Sequence, residues 1–350
     1  MQFRNLLILF LLALAFLPQS QAQDFHYTQY FFSPLGVNPA LAGAYNGSYR
    51  INGIYRDQYR GVGDPFGGFS LNVDAPIITG FRKQDWVGVG LRLEQDQSGS
   101  VGQKMNFYGL GASYHLGLDK NQLNVLTLGA QYGTGGLSYD RLGVDATTDG
   151  ILTNALSDNA TMFNMAQGGG GSDPGDTGVD GGSLNDLSIG VLYNSRNPKT
   201  GRDFKLGLAA EGILSPDRGK RGVDKKGLGI NAFTSYETVF NIRTSLTSGA
   251  YYYLLDDASA LNVNSIVNHK LKPGDEFTLH GGLGLRNLRA VLFYVGVTYK
   301  GVRVGLGYDF DIGESVDATN NHKSLEIGVS YTGKIYKKPK PKPIIYCPRI

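Results

Sequence analysis

The closest match in this sequence to a catalytic pair is Ser113 with His115. A serine becomes a strong nucleophile when a neighbouring imidazole takes its proton, and residues two apart share one face of a β-strand. The remaining histidines are scattered along the chain, and neither a G-x-S-x-G nor an H-E-x-x-H motif occurs. We therefore predict no enzymatic activity, no catalytic residue, no metal site and no cofactor.

Charged residues recur at alternate positions in glycine-rich segments. Arg92 and Glu94 share one strand face, and Arg303 and Asp309 share another. The faces predicted to point the same way also carry Lys205, Glu211 and Glu326. Opposite charges that face one interior are expected to form ion pairs, so we favour a fixed ionic network that stiffens the fold or packs an internal plug. A path for a substrate is the alternative.

The segments that carry these charges alternate as the strands of a membrane barrel do. In VRVGLGYDF (302–310), apolar side chains occupy one face, and glycine, Arg303 and Asp309 occupy the other. The pattern recurs in WVGVGLRLE (86–94), AVLFYVGVTY (290–299) and SLEIGVSY (324–331). An apolar outer row backed by glycine and charge fits a wall with lipid outside and water inside. The pattern predicts an all-β fold, namely a transmembrane antiparallel β-barrel.

The N-terminus predicts export. Arg4 precedes an apolar run at 6–16, and small residues at 20–22 fit a cleavage site, so residues 1–22 are predicted to be a signal peptide. The run is shorter than the roughly 20 residues that a membrane-spanning helix needs. The 50 glycines, 21 tyrosines and 17 phenylalanines favour an integral outer-membrane barrel in contact with lipid. The net charge of +3 is uninformative, but no basic stripe with interleaved aromatics appears outside the extreme C-terminus, so nucleic acid is an unexpected partner.

About fourteen strands are predicted between residues 48 and 332. They lie near 48–57, 67–74, 86–95, 104–116, 122–136, 185–194, 203–212, 228–239, 242–255, 258–270, 276–286, 290–299, 302–310 and 324–332. An even number returns the chain to its starting side, so a periplasmic N-terminal segment at 23–47 implies outward connections after odd-numbered strands. The longest connection, 137–184, is predicted to be an extracellular loop. Its Asp173, Asp176 and Asp180 suggest calcium binding, but the EF-hand spacing is absent and a plain surface loop is favoured.

Motifs at both ends of the chain resemble a known family. The first motif precedes and closes the first strand and consists of Asn38, Pro39, Ala40, Gly43, Arg56, Gln58 and Tyr59. DAPI (74–77), the strand pair GVTYKGVRVGLGYDFDIG (296–313) and the ending YCPRI (346–350) follow. Together they resemble the PorP/SprF family of the type IX secretion system. Two departures are the three residues that separate His322 from Glu326, where the family has them adjacent, and the glycine-rich insertion.

The resemblance implies an outer-membrane component of the type IX secretion and gliding machinery. Such a protein binds, and helps to export or anchor, a specific cell-surface protein such as an adhesin on its lumen or outer loops. It also implies attachment to periplasmic secretion components. A passive porin or small-solute transporter is the alternative.

The C-terminal tail, 333–350, is predicted to be a periplasmic docking element. KKPKPKP (337–343) alternates lysine with proline, which favours extended polyproline II structure, and an apolar tip follows it. The predicted contact residues are Lys337, Lys338, Lys340, Lys342, Ile344, Ile345, Tyr346, Cys347, Pro348 and Arg349. Cys347 is the single cysteine, so it is either buried in a partner or available for an intermolecular disulfide. A merely solvated extension is the alternative.

Overall fold

The structure is a computed structural model. It describes residues 27–58, 66–79, 82, 84–98, 103–140, 178–214, 228–255, 258–274, 276–287, 290–312 and 323–335. Within these ranges, none of the helices is long and apolar enough to cross a membrane. The predictions made for residues 1–26, Tyr59, Asp173, Asp176, His322 and the tail from 336 onward concern residues outside these ranges.

Fourteen antiparallel strands close into one barrel. They are β1 (Tyr49–Gln58), β2 (Phe66–Thr79), β3 (Trp86–Ser98), β4 (Gln103–Gly117), β5 (Asn124–Asp140), β6 (Gly178–Asn197), β7 (Arg202–Glu211), β8 (Gly229–Val239), β9 (Thr244–Leu255), β10 (Ala258–Lys270), β11 (Thr278–Arg286), β12 (Ala290–Tyr299), β13 (Val302–Asp311) and β14 (Lys323–Gly333). Each strand pairs with its neighbours in the chain, and β1 pairs with β14 to close the wall. The predicted fold class and strand number are confirmed.

Side chains alternate along each strand between an apolar outer face and an inner face rich in glycine and polar residues. In β13, Leu306 and Tyr308 are exposed on the outer face, whereas Gly305, Gly307 and Asp309 are buried on the inner face. Outward aromatic residues lie towards both ends of the strands. They include Tyr49, Tyr114, Tyr236, Tyr299 and Tyr331 at one end and Tyr55, Phe69, Tyr308 and Phe310 at the other. Two aromatic belts around an apolar band are typical of a barrel in a bilayer.

The two ends of the barrel differ in the length of their connections. Short turns, such as 118–123, 198–201 and 300–301, follow the even-numbered strands; we call this side the turn end. The three longest connections, 141–177, 212–228 and 312–322, all follow odd-numbered strands at the side we call the loop end, although other connections there, such as 256–257 and 287–289, are short. β5 and β6 are longer than predicted, because Leu137–Asp140 and Gly178–Leu184 continue the ladder across a register shift. The predicted loop at 137–184 is therefore wrong at both of its ends, and Asp180 lies in β6, whereas residues 141–177 lie outside the described residues.

Candidate functional site within the barrel lumen

Residues 27–47, here called the lumenal segment, lie inside the barrel. The segment bonds to Glu326 of β14, to Val191 of β6 and to Asp74 of β2, and it packs on Tyr251 of β9. Only a segment in the interior can contact strands on all sides of a closed barrel. The prediction of a periplasmic segment at 23–47 is therefore wrong for residues 27–47. Alternation predicted the wall, but it could not predict that an aperiodic segment fills the lumen.

The local sequence folds the lumenal segment into compact turns. Pro34 begins the short helix α1 (Pro34–Val37), where its fixed backbone angle is favourable and its missing N–H costs nothing. Asn38 then caps a 3₁₀ turn over Pro39–Leu41, because its side-chain oxygen accepts a hydrogen bond from the Ala40 N–H at 2.8 Å. These turns satisfy backbone groups within the segment, which lets it sit in the lumen without a strand partner.

Glu326 holds the start of the lumenal segment. Its two carboxylate oxygens accept the backbone N–H groups of Thr28 at 2.7 Å and of Gln29 at 2.8 Å. The Arg56 guanidinium lies 3.5 Å from the same carboxylate, and both side chains are almost completely buried. Charge-assisted bonds of this kind are about twice as strong as neutral ones. A carboxylate at the loop-end half of the wall therefore fixes two consecutive backbone amides of the segment.

Asp309 supports the same contact, but with partners that the sequence did not indicate. Its carboxylate accepts a hydrogen bond from the Thr28 hydroxyl at 2.8 Å and pairs with Arg286 at 3.0 Å. Arg303, which was grouped with Asp309, instead lies over the rings of Phe31 and Tyr294 and donates to the Tyr294 hydroxyl at 3.1 Å. Arg303 and Asp309 share a face, as predicted, but each of them contacts the lumenal segment separately.

Asn38 holds the middle of the lumenal segment against β6 and β7. Its side-chain nitrogen donates to the backbone oxygens of Val191 at 3.1 Å and Leu208 at 3.0 Å. Two wall glycines provide the space, because a Cβ at Gly190 would meet the Asn38 side chain and one at Gly129 would lie 2.6 Å from the Ala40 Cα. Asn38 and Ala40 have no exposed surface. The motif N-P-A is thus a packing and bonding element that requires glycine on the facing strands.

Asp74 holds the end of the lumenal segment near the turn end. Its carboxylate accepts two bonds from Arg50, each at 2.9 Å, and one from the Gly43 N–H at 2.7 Å. Trp86 donates its indole N–H to the Gly43 oxygen at 3.1 Å. The backbone of Gly43 has φ +70° and packs directly on Gly88, a conformation and an approach that favour glycine. Sequence reasoning missed Arg50 and Trp86, and of Asp74 it noted only the DAPI motif.

Ser113 and His115 also bind the lumenal segment. The Ser113 hydroxyl donates to the Ala42 oxygen at 2.6 Å, and His115 Nε2 lies 2.8 Å from the same oxygen. Because a carbonyl oxygen only accepts, Nε2 carries the proton in this contact, and Nδ1 accepts from the Thr127 hydroxyl at 2.9 Å. The imidazole stacks on Trp86 with a centroid distance of 4.5 Å. In this arrangement, Nε2 donates a hydrogen bond to a backbone carbonyl.

Arg92 and Glu94 form an ion pair with each other on the inner face of β3. The Arg92 guanidinium also lies 5.0 Å from the centre of the Phe107 ring. Of the other predicted lumen charges, Glu211 accepts a hydrogen bond from the Tyr253 hydroxyl at 3.1 Å, and Lys205 is partly buried. Gln58 ends β1 and pairs in register with Ser324 and Phe66.

Aromatic rings of the lumenal segment pack against aromatic rings of the wall. Tyr30 stacks on Tyr251 at 5.1 Å, and Phe31 meets Tyr294 edge to face at 5.6 Å. Burial raises the pKa of the Tyr30 phenol to about 12, so it stays protonated at neutral pH. Phe32 packs against Gly328 and is almost fully buried. The polar anchors therefore stand in an otherwise well-packed interior.

The comparisons with known proteins agree with this architecture. A family model described as "Type IX secretion system membrane protein PorP/SprF" matches residues 19–331. The chain belongs to this family. It is therefore a membrane protein of a type IX secretion family with an outer-membrane barrel fold, as the sequence resemblance predicted. Comparison with curated protein sequences finds no match.

Solved structures with a similar barrel include two channels for small hydrocarbons. The toluene transporter TbuX of Ralstonia pickettii has a TM-score of 0.51 at 11% identity, over 87% of this chain and 94% of that chain. The CymD monoaromatic hydrocarbon channel has a TM-score of 0.51 at 10% identity, over 87% of this chain and 93% of that chain. At such identities the similarity concerns the fold alone.

Proposed function

We propose that this PorP/SprF family member holds or anchors a specific cell-surface protein, such as an adhesin, at its loop end while its own lumenal segment keeps the barrel closed. One observation supports this proposal above all others. Residues 27–47 cross the lumen and bond to the wall near the loop end, in the middle and near the turn end. A passive porin needs an open aqueous path, and this segment occupies that path.

The geometry suggests that the two ends of the barrel contact different partners. Short turns face the periplasm in most outer-membrane barrels, so we assign the turn end to the periplasm and the loop end to the cell surface. Contacts with the surface protein then belong to the connections of the loop end, of which 141–177 is the longest. β14 ends at the turn end, so the Lys/Pro tail starts on the side where periplasmic secretion components would be met.

A reversible cross-link of the lumenal segment tests the proposal. The hydroxyl oxygens of Ser33 in the segment and Ser70 in β2 lie 2.9 Å apart, and both residues are buried. In a Cys347→Ser background, Ser33→Cys with Ser70→Cys should form a disulfide that fixes the segment to the wall. The two single cysteine variants in the same background are the matched controls.

The readout is the surface amount of those proteins that are lost from the cell surface when this chain is deleted, measured by surface biotinylation. We expect the oxidised double variant to deliver these proteins as well as the single variants do. Delivery that stops on oxidation and returns with a reductant would show that cargo moves through the lumen. High conductance of the unmodified protein in a planar bilayer would favour the porin instead.

A further inference from the structure

Exposed basic residues are concentrated on three adjacent turns at the turn end. Lys199 lies in the turn between β6 and β7, and Arg202 begins β7 beside it. Arg243 lies in the turn between β8 and β9. Lys270 ends β10, and Lys272 lies in the turn that follows. Because β7 pairs with β8 and β9 pairs with β10, these turns are neighbours around the rim. We call these five residues the basic arc.

The nearby acidic residues offset only part of this charge. Asp203 pairs with Arg196, which is not part of the arc, at 3.0 Å. Glu237 accepts a hydrogen bond from the Ser245 hydroxyl at 2.9 Å. Glu276 is exposed on the turn that carries Lys272, and the sequence places Asp275 directly before it. The described part of this rim therefore has a positive excess that faces its surroundings.

Apolar side chains stand among these charges. Phe240 is 65% exposed and Ile242 is 75% exposed, both in the turn that carries Arg243, and Leu271 lies between the two lysines. Exposed apolar tips next to Lys and Arg are typical of segments that lie at a membrane surface. The arc is also continuous with the lipid-facing wall, because Arg202 alternates on the same face of β7 as the exposed Leu206 and Leu208.

We propose that the basic arc binds the headgroups of anionic phospholipids in the periplasmic leaflet. The ammonium and guanidinium groups would contact lipid phosphates while Phe240 and Ile242 enter the interface beside them. Continuity with the lipid-facing wall favours lipid over an acidic protein, which could bind a charged rim without exposed apolar tips. The assignment to the periplasmic leaflet rests on the orientation given under the proposed function, whereas binding to anionic lipid does not.

Native mass spectrometry of the full-length protein in a neutral detergent tests the proposal. Phosphatidylglycerol and phosphatidylcholine with the same acyl chains are added in equal amounts, and we expect the protein to retain phosphatidylglycerol preferentially. The arc variant combines Lys199→Gln, Arg202→Gln and Arg243→Gln. We expect its apparent affinity for phosphatidylglycerol to be at least about fivefold lower, since each basic residue near a membrane surface contributes a similar factor. Phe240→Ser with Ile242→Ser should lower retention of both lipids.

The matched control removes three lysines from the connection at the opposite end, as Lys220→Gln, Lys225→Gln and Lys226→Gln. This control should keep the preference for phosphatidylglycerol. Equal retention of both lipids by the unmodified protein would overturn the proposal, as would an equal loss in the arc variant and in the control. In a second competition, lipid A replaces phosphatidylcholine. A stronger retention of lipid A than of phosphatidylglycerol that the arc variant loses would overturn the assignment to the periplasmic leaflet. Heat-modifiable gel mobility checks that every variant is folded.

Discussion

Two carboxylates hold the lumenal segment by the same device but in different surroundings. Glu326 accepts the backbone N–H groups of Thr28 and Gln29, and Asp74 accepts the N–H of Gly43. The arginine near Glu326 is only 2% exposed and lies 3.5 Å away, whereas Arg50 is 15% exposed and bonds Asp74 twice at 2.9 Å. The difference shows which anchor depends on the segment. Asp74 has a strong ion pair of its own, and Glu326 relies on the amides that the segment brings.

Neutralising Glu326 should have the largest effect. Glu326→Gln leaves the buried Arg56 beside a neutral amide and turns an amide donor towards a backbone donor, so we expect a loss of about 3–5 kcal/mol in the free energy of unfolding. Urea titration followed by heat-modifiable gel mobility measures this loss, and planar-bilayer conductance should rise. The control is Leu325→Ala, an adjacent residue that faces lipid. A loss of stability no larger than that of the control would show that Glu326 does not anchor the lumenal segment.

Neutralising Asp74 in the same isosteric way should cost less. Asp74→Asn removes the charge, but the partly exposed Arg50 can turn to water, so we expect a loss of about 1.5–3 kcal/mol. The same urea titration compares the two variants directly. If Asp74→Asn destabilised the barrel more than Glu326→Gln, our ranking of the two anchors would be wrong.

A methyl group added to the wall between the two anchors should disturb the packing of the lumenal segment and leave every charged residue unchanged. Gly129→Ala places a Cβ against the backbone of Pro39 and Ala40, and overpacking of this kind costs about 1 kcal/mol or more. Gly281→Ala is the matched control, because a Cβ there has no neighbour within 4 Å. We expect a lower Tm for Gly129→Ala and an unchanged Tm for Gly281→Ala, measured by differential scanning calorimetry in detergent. Equal Tm values would contradict close packing at Gly129.

Removing the tail should have the smallest effect on the barrel. The Ile335 N–H donates to the Ser48 hydroxyl at 2.8 Å, so truncation after Ile335 keeps the last described contact. We expect the free energy of unfolding to stay within about 0.5 kcal/mol of the full chain, as for surface changes in general. Surface delivery of the cargo should nevertheless fall. Unchanged delivery would mean that the tail is a solvated extension and not a docking element.

Features that arise from residues close together in the sequence could be predicted, whereas features that arise from distant residues could not. The wall could be predicted because alternation is local, and every one of the fourteen predicted strands overlaps an observed one. The Arg92–Glu94 pair could be predicted for the same reason, because the two residues are two apart on one strand. The partners of Asp309 could not be predicted, because Arg286 and Thr28 reach it from other elements.

The sequence by itself determined the outer-membrane barrel, the family and the faces of the strands. The tertiary structure alone decided that residues 27–47 lie in the lumen, because the contacts that hold them join residues such as Thr28 and Glu326, which are 298 positions apart. The motif Asn38-Pro39-Ala40 was recognisable in the sequence, but its role required the glycines of facing strands. Barrel closure brings these distant residues together, and only closure gives an aperiodic segment an interior to fill.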